Sequence, residues 1–169
     1  MKSKISAILG TLLMVLFFAS CGPTKEDAIK YNDQIIDQQR KVVDKENDLI
    51  GYIKGGSLTN LDEKYNSLSK QIDESTEAVK KMESFDGKTE FKDATLALFV
   101  IYRSVVDKEY KAWVLNLKTP AELIDDKVLD EERDLVKSIN EKMDKALADF
   151  TKAQEDFATK YKFEISRSR

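Results

Sequence analysis

The chain of 169 residues contains no histidine, one cysteine, two prolines and six glycines. Each shortage closes a class of chemistry. Without histidine there is no Ser-His or Cys-His nucleophile pair, no histidine-ligated haem, and no zinc or di-iron centre of the usual kind. A single cysteine cannot build an internal disulfide framework or a cysteine-rich cluster. With 28 basic against 31 acidic side chains, a formal charge of −3, the chain lacks the basic surplus of a nucleic-acid binder. No glycine occurs beyond Gly87, and the two prolines stand at 23 and 120.

What is present begins with a targeting segment over residues 1–20. Lys2 and Lys4 are followed by an apolar run from Ile5 to Ala19, broken mildly by Ser6, Gly10 and Thr11. The run is short for a membrane span and ends in small residues, as a secretory signal does. Phe18-Ala19-Ser20-Cys21-Gly22 resembles the lipobox of bacterial lipoproteins, although leucine is commoner where Phe18 stands. That resemblance implies cleavage before Cys21, with a diacylglycerol and an N-acyl chain then carried on Cys21. No other cofactor is implied. Each buried methylene contributes roughly 0.8 kcal/mol, so two or three chains hold a protein to a membrane where one would not. Residues 21–23 are the lipidated cysteine and a short tether.

The remaining residues, 24–165, read as helix throughout. The sparse Gly and Pro positions divide them into four segments, about 24–54, 59–85, 89–117 and 120–161. In the first, Ala28-Ile29, Ile35-Ile36, Val42-Val43 and Leu49-Ile50 recur every seven residues and make one continuous stripe. The second carries Leu61, Tyr65, Leu68, Ile72, Ser75, Val79 and Met82 in alternating steps of four and three. The third is the most apolar, from Phe91 through Leu98 and Tyr102 to Trp113 and Leu117. The fourth has a stripe from Val128 through Leu135, Ile139, Met143 and Phe150 to Tyr161, with a break or kink expected near Asp125-Asp126. Thr24 to Asp27, Thr59 to Asp62 and Thr119 to Glu122 each match a capping box, and Pro120 suits a first helical position. Short connections make neighbours antiparallel, so the expected fold is all-α, an up-down-up-down four-helix bundle.

Three groups of residues could carry function. Asn32, Gln39 and Glu46 lie seven apart between the apolar pairs. They form either buried polar layers, or a small ligand site along the axis, or the wet edges of a wide stripe. The last is favoured, because a buried Glu without a basic partner is costly. Phe99, Tyr102, Tyr110 and Trp113 could line a cavity, though rings at helical spacing more often form ordinary core. The acidic stretch Asp125, Asp126, Asp130, Glu131, Glu132 and Asp134 lacks the spacing of a calcium loop and reads as a solvated helix start.

The run from Cys21 to Asp33 is similar to the start of small Bacteroidota lipoproteins. In size and helical pattern the whole chain resembles a family of surface lipoproteins of unknown function, named after a Leptospira surface protein. That family brings no catalytic residues. Lys25-Glu26-Asp27 also resembles a surface-export signal of Bacteroidota lipoproteins, although such a signal is read in an extended segment and Thr24 should begin a helix. The leading expectation is a lipid-anchored, non-enzymatic helical module of the outer membrane, its outward face favoured over the periplasmic one. Its partners would be membrane lipid through Cys21 and a protein or envelope component, with no nucleic acid and no metal. The alternative is a protein that binds a small apolar or aromatic ligand inside the bundle, lined by Phe99, Tyr102, Trp113 and Gln39. An enzyme comes third.

Overall fold

The computed structural model describes residues 22–55 and 58–165. The signal segment 1–20, Cys21 and the tail 166–169 lie outside the described residues. Among those described the protein is all-α, with four long helical stretches and no strand beyond a single bridge between Phe85 and Lys88.

Helix α1, Lys25–Lys54, starts where its sequence says it should. The Thr24 hydroxyl accepts the Asp27 N–H at 3.1 Å, and the Asp27 carboxylate accepts the Thr24 N–H at 3.0 Å. This reciprocal box satisfies two donors that the first turn leaves open. The other two boxes do not form. Helix α2, Leu61–Lys81, is preceded by Asn60 in a left-handed conformation with φ 64° and no side-chain cap. Asparagine tolerates that geometry, so Thr59 is displaced one residue outside the cap. Asp62 instead pairs with Lys118 at 2.6 Å. At the third box the Leu123 N–H donates to the Pro120 carbonyl at 2.8 Å in a short 3-10 turn, Ala121–Leu123. The last long helix then begins later than Pro120.

The second connection holds a turn that the helical pattern concealed. Phe85 and Lys88 exchange backbone hydrogen bonds at 3.0 and 2.9 Å. Asp86 and Gly87 between them have φ 55° and 65°, the positive values a primed two-residue turn requires. The third stretch is α3, Glu90–Val105, then a π turn, Val106–Tyr110, then α4, Lys111–Asn116. The fourth is α5, Asp126–Tyr161, capped by Asp125, whose carboxylate accepts the Val128 N–H at 3.0 Å. The break expected near Asp125-Asp126 is therefore the cap of α5.

Cross-helix hydrogen bonds fix the register. Between α1 and α2, Tyr31 reaches the Glu83 carbonyl, Ser75 the Gln38 carbonyl and Lys64 the Asp48 carboxylate, so the two run antiparallel. Arg103 with Ser69 and Tyr65 with Val106 do the same for α2 and α3. Phe91 against Phe150, and Glu109 against Lys142, align α3 with α5. Gln154 on Asn32 brings α5 back beside the start of α1. The core runs along these contacts. Ile35, Val42 and Leu49 of α1, Leu68 and Val79 of α2, and Val105 of α3 are fully buried. Each such side chain contributes about 1.5–3 kcal/mol. The α1 stripe has the predicted form: the first residue of each apolar pair is buried and the second half-buried. The α5 stripe holds only from Ile139 onward. Val128 and Leu135 are half-buried, and Leu129 and Val136 are exposed.

Candidate functional site

The π turn reorganises the middle of the third stretch. The Lys111 N–H donates to the Val106 carbonyl five residues back, and the Tyr65 hydroxyl donates to the same oxygen at 3.3 Å. A widened turn of this kind is rare and often marks a functional position. Its effect is to bury two consecutive polar residues, Glu109 and Tyr110, which are 7% and 1% exposed.

The two residues reach opposite neighbours. Glu109 Oε1 accepts from Ser138 at 3.1 Å and from Lys142, both on α5. Burial alone would push the Glu109 carboxyl up. The hydrogen bonds and charge of Lys142, with Ser138, outweigh this and hold it below the ordinary glutamate value. Its Oε2 is buried and has no hydrogen-bond partner among the described residues. Tyr110 turns toward α1, where its hydroxyl donates to Glu46 Oε1 at 2.8 Å. The Tyr102 hydroxyl acts on the same carboxylate. Burial raises the Glu46 carboxyl, and the two tyrosines only partly oppose it. Burial, and then the Glu46 charge, push both tyrosine hydroxyls well above their usual value.

Glu46 and Tyr110 stand in the wall of a groove between α1, the π turn and α5. It has a volume of about 310 Å³. Ile50, Ile139, Met143 and Leu147 give it apolar walls. The indole of Trp113 stacks on the Tyr110 ring at 6.2 Å with an 8° interplanar angle. Asp144 on α5 and Lys54 at the end of α1 complete its charged groups. Trp113 also faces a second, shallower groove with Leu129, Glu132, Arg133 and Val136. Beyond it the end of the molecule opposite the start of α1 carries exposed Leu58, Leu115, Leu123 and Ile124.

The sequence-based candidates separate. Trp113 lines the groove. Phe99 and Tyr102 are each 1% exposed and belong to the packed core. Gln39 is half-buried on α1. Neither Phe99, Tyr102 nor Gln39 lines the Trp113 groove. Of the three polar residues spaced by seven, Asn32 is buried, not at a wet edge, because its Oδ1 accepts from Gln154 at 2.9 Å inside the helix interface. Glu46 is half-buried on two tyrosines. The acidic stretch behaves as a helix start: Asp125 caps, Asp130 pairs with Arg133 and Glu131 with Lys127. Among the described residues no group of three or more His, Cys, Asp or Glu side chains is placed to hold a metal ion. Sequence reasoning missed Glu109, Ser138 and Lys142. The only signal was a charged residue following Val105-Val106 at the spacing of the apolar face.

Compared with known protein families, curated proteins and solved structures, the chain matches none. No helix among the described residues is long and apolar enough to cross a membrane.

Proposed function

We propose that this protein is a lipid-anchored module of the outer membrane, fastened through Cys21 and facing outward, that works by contact and not by catalysis. The four stretches then form an up-down-up-down four-helix bundle standing close to its membrane. Thr24 caps α1 only three residues after Cys21, and three residues span roughly 10 Å at most.

The observation that carries this reading is where exposed apolar side chains fall. Leu58, Leu115, Leu123, Ile124 and Leu129 are 46–65% exposed. All lie at or beside the two connections at the end opposite the start of α1. Val100 in the middle of α3, at 63%, and Val136 within α5, at 36%, are the exceptions. Along the chain Glu122, Asp125, Asp126, Asp130, Glu131, Glu132 and Asp134 flank Leu123, Ile124 and Leu129, against Lys118, Lys127 and Arg133. An apolar tip with an acidic rim suits a partner surface that is apolar at its centre and basic at its edge.

Labelling cells with palmitate and treating them intact with protease tests the address. Wild-type protein takes up label and is cleaved, and Cys21→Ser takes up none. Unlabelled wild-type protein refutes the anchor, and labelled but protected protein refutes the outward face. A photo-crosslinking residue at Leu123 forms discrete adducts in intact cells and one at Val100 does not. Equal adduct formation at both positions refutes the role of the tip.

A further inference from the structure

We propose that the groove between α1, the π turn and α5 binds a small primary amine with a flat apolar body. The ammonium sits on Glu46, and the body lies against Trp113, Met143 and Leu147. This inference is independent of the lipid anchor and of the tip.

The contrast between two glutamates leads to it. Glu109 and Glu46 are joined through consecutive residues of one π turn. Glu109 has Lys142 as counter-charge. Glu46 has only tyrosine hydroxyls, and among the described residues no lysine or arginine pairs with it. Neutral donors orient a carboxylate without cancelling its charge, and a partly desolvated charge without a counter-ion is costly. A closed structural network would bury that carboxylate behind its donors. Here Glu46 is half-buried and lines an open groove.

The remainder of the groove selects the body of the ligand. Its volume of about 310 Å³ falls at the lower end of small-molecule sites. Ile50, Met143 and Leu147 offer apolar contact, and the half-buried Trp113 indole, backed by the Tyr110 ring, gives a flat aromatic wall. Such rings attract both an apolar plane and a cation. The charged groups that face the site are Glu46 from α1, Asp144 from α5 and Lys54 at the rim, a net negative balance. An anionic ligand would meet two carboxylates. A neutral one would leave Glu46 uncompensated. Burial raises the Glu46 carboxyl, so amine binding weakens as pH falls through that raised value.

The chain's only tryptophan lies in the groove and reports on it. Purified full-length protein is titrated with phenethylammonium and, separately, with 2-phenylethanol. Tryptophan fluorescence and calorimetry follow both. The amine produces a saturable change, and the alcohol binds about tenfold more weakly, the equivalent of one charged hydrogen bond. Glu46→Gln, shown folded by circular dichroism, loses the same factor for the amine and nothing for the alcohol. Equal binding of amine and alcohol, unchanged amine binding in Glu46→Gln, or no saturable change with wild-type protein each overturns the proposal. The comparison of the two probes on wild-type protein stands even where the variant does not fold.

Discussion

Replacing Lys142 by methionine removes the counter-charge of Glu109 and keeps most of the lysine's apolar stem. Breaking a fully buried pair by deleting one partner costs about 3–5 kcal/mol, because the other charge is left desolvated. The Glu109 side chain is 9% exposed, but that of Lys142 is 37% exposed. Water therefore already shares in the lysine's charge, and Ser138 keeps one hydrogen bond on the carboxylate. Both facts lower the expected loss to about 2 kcal/mol. The pH dependence carries a second signature. In the native protein the Glu109 carboxyl titrates below its ordinary value. Its contribution is thus present above the unfolded value, near pH 4.3, and is lost as pH falls through the folded value. In Lys142→Met burial acts against one hydroxyl donor and the folded value moves above the unfolded one. The destabilisation then shrinks as pH is lowered from about 7 to about 5, where the buried carboxyl takes up a proton. Urea unfolding followed by far-UV circular dichroism at the two pH values measures both effects. Adding Glu109→Gln to the variant restores most of the loss, since an amide needs no counter-ion. A variant within roughly 0.5 kcal/mol of wild type at neutral pH, with an unchanged pH trend, refutes the account of the π turn as a site of buried charge.

Asn32→Leu alone leaves the Gln154 amide buried without its acceptor and lowers stability by about 1–3 kcal/mol, whereas Asn32→Leu with Gln154→Leu is nearly neutral. A double-mutant cycle by urea unfolding decides, and simple additivity would show that the pair does not act as a unit. Thr24→Ala removes the hydroxyl that accepts the Asp27 N–H, leaves the Thr24 N–H on the Asp27 carboxylate, and costs about 1 kcal/mol. Hydrogen exchange should speed up in residues 25–28 and not in α2, whose Asn60 supplies no side-chain cap.

The helical periods were legible because a long amphipathic helix repeats its own signal. Ala28, Ile35, Val42 and Leu49 recur every seven residues, and all four are fully buried. Caps were less legible. A Thr-x-x-Asp pattern is satisfied only where the backbone enters extended, as at Thr24. At Asn60 a left-handed residue shifts the helix start, and Asp62 is drawn to Lys118 across the connection. The start of α5 looked like core from its leucines and valines. There Leu129 and Val136 remain exposed, and Val136 faces the groove between α1 and α5. The π turn left no mark in composition, and its one-residue shift of phase is hidden by the breadth of the apolar face from Phe91 to Leu117.

The amino-acid order by itself determined that the described residues are helical, where their long segments fall, and that histidine-based chemistry, an internal disulfide framework and a cysteine-rich cluster are excluded. Those properties are local: they depend on residue spacing along one helix and on which side chains exist at all. Tertiary structure alone decided that Glu109 has a lysine and Glu46 only tyrosines, and that Trp113 faces a groove while Phe99 is sealed in the core. Such pairings join residues up to 122 positions apart, as Gln154 joins Asn32. They depend on how far α5 separates from α1, a distance set by packing several helices at once and written in none of them singly.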